Sequence, residues 1–215
     1  NFDNVYNKNQ FIENVNSLEI DLIQSSNGIN PDQLKSFSNP LPNENFILRN
    51  GKNSILATFD PFEKKIVQVK DLTAYGINPR NAEQSFAINI LINPKIQLIT
   101  LSGKAGTGKT LLALAAALEQ RRDFRRIFLA RPIIPLSNKD LGILPGDIDS
   151  KLTPYMQPLF DNLSVIKHQF KKNDKKNTKI KELLDDEKLL ITPLAYIRGR
   201  SLQKTFFIVD EAQNL

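Results

Sequence analysis

The chain has 215 residues, a net charge of +6, a single histidine and no cysteine. This length allows one sizeable core or a small module attached to a larger one, and the composition excludes disulfides and thiolate metal sites and leaves little material for a zinc site or a Ser/Cys–His catalytic pair. Because no apolar run approaches the roughly 18 residues that cross a bilayer and the polar first ten residues are not a signal peptide, we expect a cytoplasmic protein without a membrane partner.

The first part of the chain predicts a small β element. Residues 1–45 are rich in Asn, Ser and Pro, with scattered apolar positions that allow short strands or a turn of helix. A hairpin is predicted over residues 46–59, because two apolar runs flank the turn-forming Asn50–Asn53. A further strand is predicted over Ile66–Val69. We therefore expect residues 1–75 to form a linker and a small antiparallel β element.

The rest of the chain predicts strands that alternate with helices. A helix should begin at Asn78-Pro79, with Asn78 as its N-cap, and end near Asn93. A second helix, rich in alanine and leucine, is predicted over Leu111–Leu118. Four apolar runs are typical of buried parallel strands, so we expect an α/β fold with a parallel sheet covered on both faces. The predicted strands are Ile96–Leu101, Ile127–Ala130, Lys188–Ile191 and Thr205–Val209.

Two long segments lie between the second and third of these strands. Arg131–Pro158 contains five prolines and a predicted turn at Leu141–Gly146, which indicates a functional excursion beside the sheet. Lys167–Lys181 contains seven lysines and one aspartate, a charge run typical of a mobile, solvated loop. His168 should be exposed there.

A glycine-rich loop after the first predicted strand has the pattern G-x-x-x-x-G-K-[ST]. Its glycines let backbone N–H groups surround an anion, and the following helix directs its positive dipole end at the phosphates. Lys109 should reach the β- and γ-phosphates, and the Thr110 hydroxyl should bind Mg²⁺. The predicted ATP-binding residues of this loop are Gly103, Lys104, Ala105, Gly106, Thr107, Gly108, Lys109 and Thr110.

An acidic pair follows the last predicted strand. The strand should carry Asp210 to the C-terminal edge of the sheet, where ligands of open α/β sheets bind. Asp210 is predicted to hold Mg²⁺ through water, and Glu211 to orient or deprotonate the water that attacks the γ-phosphate. Phe206 and Phe207 fit a buried strand better than a platform for base stacking.

Six stretches together give the chain a specific resemblance. It resembles the ATPase domain of the PhoH-like family, relatives of the superfamily 1 helicases, over residues 76–215, which implies a P-loop NTPase (RecA-like) core. The matching stretches are Pro79–Gln84, Gly103–Thr110, Arg131–Ile133, Leu141–Gly146, Ile197–Ser201 and Asp210–Asn214.

Family organisation limits what can be assigned. In the subgroup that the chain most resembles, a PIN-type nuclease domain precedes the ATPase domain. Residues 1–75 resemble the segment between the two and show no clustered acidic residues, so no nuclease activity is assigned. The family pattern continues past Asn214 with a further strand and a later arginine. We therefore expect the core to be incomplete at its C-terminus, and these 215 residues to bind Mg²⁺·ATP but to hydrolyse it poorly.

The resemblance also implies roles for single residues. Gln84 corresponds to a glutamine that recognises adenine through its amide, and Asn81, one helical turn earlier, is included with the ATP-binding residues. Gln213 would couple the nucleotide state to an RNA surface. Three arginines near strand ends could contact RNA phosphates, a neighbouring subunit's ATP or surface carboxylates, and we favour phosphate or nucleotide contact. They are Arg131, Arg198 and Arg200.

The leading functional hypothesis is ATP-dependent remodelling or unwinding of RNA. Residues 1–80 have a net charge of −1 and residues 81–215 one of +7, which suits a polyanionic partner, although a solvated lysine-rich surface would give the same balance. Relatives imply a homo-oligomeric ring, a hexamer, with nucleotide between subunits. Two alternatives remain open, a kinase on the same P-loop scaffold and a non-catalytic adaptor whose oligomeric state is set by ATP.

Overall fold

The computed structural model describes residues 10–37, 39–51, 53–133, 148–171 and 174–215, which pack as two compact units. The first unit contains the described residues up to Leu72 together with Pro79–Asn89, and the second contains Thr73–Asn78 and the described residues from Ile90 onward. The division at residues 75/76 that the sequence suggests stays a prediction. No helix in the described part of the chain is long and apolar enough to cross a membrane.

The first unit contains a four-stranded sheet. Its strands are β1 (Gln10–Ile12), β2 (Asn45–Asn50), β3 (Asn53–Asp60) and β4 (Lys65–Gln68), in that order across the sheet. The antiparallel pairing of β2 with β3 and of β3 with β4 confirms the predicted hairpin and third strand. β1 adds to β2 in parallel. Helix α1 (Ser17–Ser25) contributes Ile20 and Ile23 to the buried core that this sheet forms.

Helix α2 (Ala82–Leu91) begins later than the sequence indicates. The predicted N-cap, Asn78, lies four residues before the helix, and the Asn81 side chain is the one that accepts a hydrogen bond from the backbone N–H of Gln84, at 2.9 Å. Both asparagines are good caps. The Asn78 side chain instead accepts a hydrogen bond from the Thr73 hydroxyl at 2.6 Å, a contact that the local sequence pattern does not indicate.

The second unit contains a three-stranded parallel sheet, which confirms the predicted α/β class. Its strands are β5 (Arg126–Arg131), β6 (Leu189–Pro193) and β7 (Thr205–Val209), with β5 between the other two. Ile127–Ala130 are fully buried, as expected for a central parallel strand. The prediction that Phe207 is buried in this sheet is wrong: its side chain is 37% exposed and lines an open groove with Pro132 and Leu194.

Among the described residues of this unit, three α-helices are packed, and two of them form where the sequence predicts loops. Helix α3 (Lys109–Glu119) is the predicted alanine- and leucine-rich helix, and Leu112–Leu118 are buried. Helix α4 (Ile148–Lys167) occupies the second part of the predicted excursion, and the Leu141–Gly146 turn lies outside the described residues. Helix α5 (Lys175–Asp185) forms within the lysine run that was predicted to be a loop. His168 is exposed, as predicted.

The part of the lysine run from Lys175 onward is helical because two apolar residues anchor it. Ile180 and Leu183 of α5 are buried and three positions apart, so they share one face of the helix, which packs on the rest of the unit. Asp174 caps the N-terminus by accepting a hydrogen bond from the N–H of Lys176 at 2.8 Å. The high density of lysines predicts a loop, whereas these two apolar residues give only a weak amphipathic signal for a helix.

The strand predicted over Ile96–Leu101 is wrong. These residues form no strand, and Leu98 is 85% exposed. A strand needs a neighbour whose backbone groups complete its hydrogen bonds, and within the described part of the chain no strand pairs with this segment. The apolar run gave the preference for burial but could not identify a partner.

Tyr75 anchors the start of the second unit to α3 and α5. Tyr75 and Gly76 both have positive φ angles, 43° and 82°, in a two-residue turn that pairs Ala74 with Ile77. The N–H of Tyr75 donates to the Glu119 carboxylate at 2.8 Å, and the buried hydroxyl donates to the backbone oxygen of residue 176 at 2.9 Å. Burial raises the pKa of the Tyr75 phenol, partly offset by the positive charge of Arg121.

We predict that Tyr75→Phe lowers the free energy of unfolding by about 1 kcal/mol at neutral pH, because the hydrogen bond from the buried tyrosine to the start of α5 is lost. Burial raises the pKa of Tyr75 in the folded state, so the fold favours the neutral phenol. The stability that depends on the neutral phenol is fully present below pH about 10 and is lost as the pH rises through the folded-state pKa. Urea unfolding followed by circular dichroism should therefore show a shallower alkaline decline for Tyr75→Phe. Tyr196→Phe, which removes a hydroxyl from a half-exposed ring, is the control; equal losses in the two variants would contradict the account.

Candidate functional site

The glycine loop leads directly into α3. Gly106 and Gly108 have φ angles of 76° and 86°, which favour glycine, and Gly108 is the residue before the first turn of the helix. The Thr107 hydroxyl donates to the backbone oxygen of Lys104 at 2.9 Å and closes the loop on itself. The first N–H groups of an α-helix have no acceptor within the helix, so the exposed loop and the start of α3 form a surface suited to an anion.

Lys109 lies across this loop. Its ammonium group donates to the backbone oxygens of Gly103 and Lys104, at 2.9 and 3.0 Å. These contacts hold the positive charge beside the loop amides, although Lys109 is separated from the two oxygens by five and six residues in the chain. A phosphate group at the loop would therefore meet a fixed ammonium group as well as the N-terminus of α3.

Asp210 joins β7 to the start of α3. Its N–H donates to the backbone oxygen of Ala130 at 2.8 Å, which continues the β5–β7 pairing beyond Val209. One carboxylate oxygen, Oδ1, accepts a hydrogen bond from the Thr110 hydroxyl at 2.5 Å. The structure thus brings together the two residues predicted to hold Mg²⁺, which are a hundred positions apart in the chain.

Arg131 occupies the other oxygen of the same carboxylate. Its Nε and Nη2 atoms both donate to Asp210 Oδ2, at 3.0 and 2.5 Å, and Nη1 lies 3.5 Å from the backbone oxygen of Tyr155 in α4. The side chains of Arg131 and Asp210 are 20% and 10% exposed. A carboxylate is one of the three partners that the sequence allows for Arg131; contact of Arg131 with phosphate or nucleotide, the favoured alternative, stays a prediction.

The donor set at Asp210 fits a magnesium ion. Mg²⁺ prefers oxygen ligands and usually takes one or two from the protein, with the remainder from phosphates and water. A hydroxyl and a carboxylate oxygen 2.5 Å apart, next to a phosphate-type loop, meet that requirement. In the described ranges no group of three or more His, Cys, Asp or Glu side chains could form a cage made only of protein ligands.

Glu211 is exposed and is held by a near neighbour. Its backbone has a φ of 53° and leads into a 3₁₀ turn over Ala212–Asn214, and its carboxylate accepts a hydrogen bond from the Gln213 amide. The sequence predicts separate roles for the two residues: Glu211 acts on the attacking water, and Gln213 couples the nucleotide state to an RNA surface. The observed contact links the two side chains directly.

Asn81 and Gln84 form the N-terminal cap of α2. The Gln84 carbonyl oxygen accepts a hydrogen bond from the N–H of Arg80 at 2.8 Å, which reciprocates the bond from the Gln84 N–H to Asn81. This exchange resembles a capping box, except that the Gln84 side chain accepts the N–H of the residue before the N-cap, Arg80, and not that of Asn81 itself. The pair belongs to the first packing unit, and its contact with ATP stays a prediction.

Arg198 and Arg200 are exposed beyond β6. Arg198 ends a 3₁₀ turn over Leu194–Ile197, and Gly199, with a φ of 75°, separates the two arginines. Arg198 also lines a shallow groove of about 450 Å³ whose walls include Pro132 and Phe207. An exposed cation thus lies beside an apolar surface at this end of the sheet.

Comparison with known proteins agrees with the arrangement. Residues 76–215 match the sequence profile of the PhoH-like protein family. The chain is 48% identical over 145 residues to Protein PhoH2 of Bacillus subtilis, covering 66% of this chain and 31% of that protein. It is 40% identical over 148 residues to Protein PhoH2 of Thermobispora bispora (67% and 32%) and 42% identical over 114 residues to a PhoH-like protein of Synechocystis (52% and 32%). The matched part spans about a third of each relative.

We predict that Asp210→Ala lowers the free energy of unfolding by about 1–3 kcal/mol, because it leaves the partly buried Arg131 guanidinium without its carboxylate. Glu211→Ala removes an adjacent but exposed carboxylate and should change stability by less than about 0.5 kcal/mol. Urea unfolding at neutral pH compares the two variants. Equal losses would show that Asp210 is no more important to the fold than its exposed neighbour.

Proposed function

The chain belongs to the PhoH-like protein family, and from this we propose that its glycine loop binds ATP with Mg²⁺ and that hydrolysis of this ATP drives the remodelling of RNA. The observation that carries the proposal is the convergence of Lys109, Thr110 and Asp210 at the junction of the loop, α3 and β7. The proposed activity concerns the whole protein. The matched part of this chain spans about a third of the length of each relative.

The proposed mechanism assigns each group a task in positioning charge. The loop amides and Lys109 would bind the β- and γ-phosphates, and Thr110 with Asp210 would hold the metal ion. Bound Mg²⁺ would supply positive charge against the phosphate oxygens as charge develops during transfer. Glu211 orients or deprotonates the attacking water, for which the carboxylate oxygen that does not bind the Gln213 amide is available. Gln84 is proposed to recognise adenine.

The RNA part of the proposal is supported by charge and surface chemistry. Residues 81–215 have a net charge of +7. Arg198 and Arg200 are exposed, and Arg198 shares its groove with the half-exposed Phe207, so a cation for phosphate lies beside an aromatic face for a base. A homo-oligomeric ring and a cytoplasmic location are further proposals, motivated by the family resemblance.

One observation favours a second function, that of an adaptor that binds ATP without hydrolysing it. The Glu211 carboxylate is exposed and one of its oxygens is bonded to Gln213, so fewer acceptor sites are available to the attacking water that a general base must contact. Release of inorganic phosphate distinguishes the two functions, because only the leading proposal requires it.

We predict that Lys109→Ala weakens binding of a fluorescent ATP analogue at least about tenfold, because a charge-assisted contact to phosphate is lost. Fluorescence anisotropy in the presence of MgCl₂ measures the change. Lys175→Ala, which removes an exposed lysine at the start of α5, is the matched control and should bind within about twofold of the unmodified chain. Equal affinities of the two variants would refute phosphate binding at this loop.

We predict that replacing Arg198 and Arg200 together with alanine weakens binding of a labelled single-stranded RNA and lowers the slope of log affinity against log salt by roughly 1.4, since each phosphate contact on a single strand contributes about 0.7. Arg122→Ala with Arg126→Ala, both exposed, gives the same charge change elsewhere. An identical slope in both double variants would remove these arginines from the RNA surface.

A further inference from the structure

We propose that Arg131 is an internal counter-ion of the Asp210 carboxylate that competes with the divalent cation, and that it thereby sets the Mg²⁺ concentration at which the site binds nucleotide. This inference rests on the proposed function and deepens it, because it assigns a regulatory role to a residue of the same site. Arg131 acts here as a positioning residue.

Both oxygens of the Asp210 carboxylate have partners within the chain. Oδ2 accepts two N–H groups from Arg131, at 3.0 and 2.5 Å, and Oδ1 accepts the Thr110 hydroxyl at 2.5 Å. A cation that binds Asp210, directly or through a water molecule, needs lone pairs on these same oxygens, and the three hydrogen bonds already use three of the roughly four lone-pair sites that a carboxylate offers. Protein and metal therefore compete for one carboxylate.

The competition is electrostatic as well as geometric. The guanidinium group of arginine stays protonated at all ordinary pH values, so Arg131 cannot lose its charge as a cation approaches. With side-chain exposures of only 20% and 10%, Arg131 and Asp210 are shielded from water, and like charges repel more strongly there than in bulk solvent. Arg131 should therefore raise the concentration of Mg²⁺ needed at the site.

The fold keeps Arg131 beside Asp210 and also offers it a second acceptor. Ala130 and Val209 pair in register, and the N–H of Asp210 donates to the Ala130 oxygen, so the two charged residues follow one another at the ends of adjacent parallel strands. The Nη1 atom lies 3.5 Å from the Tyr155 oxygen in α4. A guanidinium group displaced from Asp210 thus has an acceptor nearby.

The test is a titration of Mg²⁺ at a fixed concentration of a fluorescent ATP analogue, read by anisotropy. Arg131→Met should lower the Mg²⁺ concentration for half-maximal binding by roughly three- to tenfold, because both the competitor and its charge are removed. At saturating Mg²⁺ the affinity for the analogue should stay within about twofold. Arg126→Met, an equal charge change on an exposed residue of the same strand, should leave the Mg²⁺ requirement unchanged.

Arg131→Lys provides a second variant that keeps the positive charge but not the two-pronged contact, and should shift the Mg²⁺ requirement in the same direction by a smaller factor. An unchanged or raised Mg²⁺ requirement in both variants would overturn the inference, as would loss of analogue binding at saturating Mg²⁺, which would assign Arg131 to the phosphates. Equal binding of the analogue by the unmodified chain in EDTA would contradict the role of the metal ion in the proposed function. If binding depends on Mg²⁺ but the Arg131 variants have the same Mg²⁺ requirement as the unmodified chain, only the role of Arg131 is refuted.

Discussion

The site is organised around one carboxylate that is shared between two elements. Asp210 ends β7, receives the hydroxyl of Thr110 from the start of α3 and receives the guanidinium group of Arg131 from the end of β5. A buried charge is tolerated only when such partners satisfy it, so the carboxylate fixes these chain ends relative to one another. The contact between Thr110 and Asp210 also fixes the position of the glycine loop, because Thr110 is the second residue of the helix into which that loop leads.

Much of the fold could be predicted because the relevant signals are local. The Asn-Gly turn and its flanking strands, the helix Lys109–Glu119 and the strand Thr205–Val209 depend on turn chemistry and on apolar periodicity within short windows. The prediction of a strand over Ile96–Leu101 was wrong because an apolar run indicates burial but does not identify a partner strand. The helix Lys175–Asp185 was missed because only Ile180 and Leu183 mark its buried face.

The candidate site was predictable to the same extent. The loop pattern and the strand-end aspartate indicated that Thr110 and Asp210 belong together, and the structure places them in contact. The pairing of Arg131 with Asp210 could not be predicted without the order of strands in the sheet, because the sequence does not show which strands lie beside β5. The bond between Glu211 and Gln213 depends on a left-handed backbone at Glu211, which its residue type does not favour.

The central claim is that the Thr110–Asp210 pair and the glycine loop form a single site for a nucleotide and its metal ion. Calorimetric titration of the unmodified chain with a non-hydrolysable ATP analogue, once with Mg²⁺ and once with EDTA, tests this claim most directly. The account predicts one binding site per chain, with affinity at least about tenfold weaker in EDTA because the metal ion links the phosphates to Asp210. Absence of binding, or equal affinity under both conditions, would contradict it.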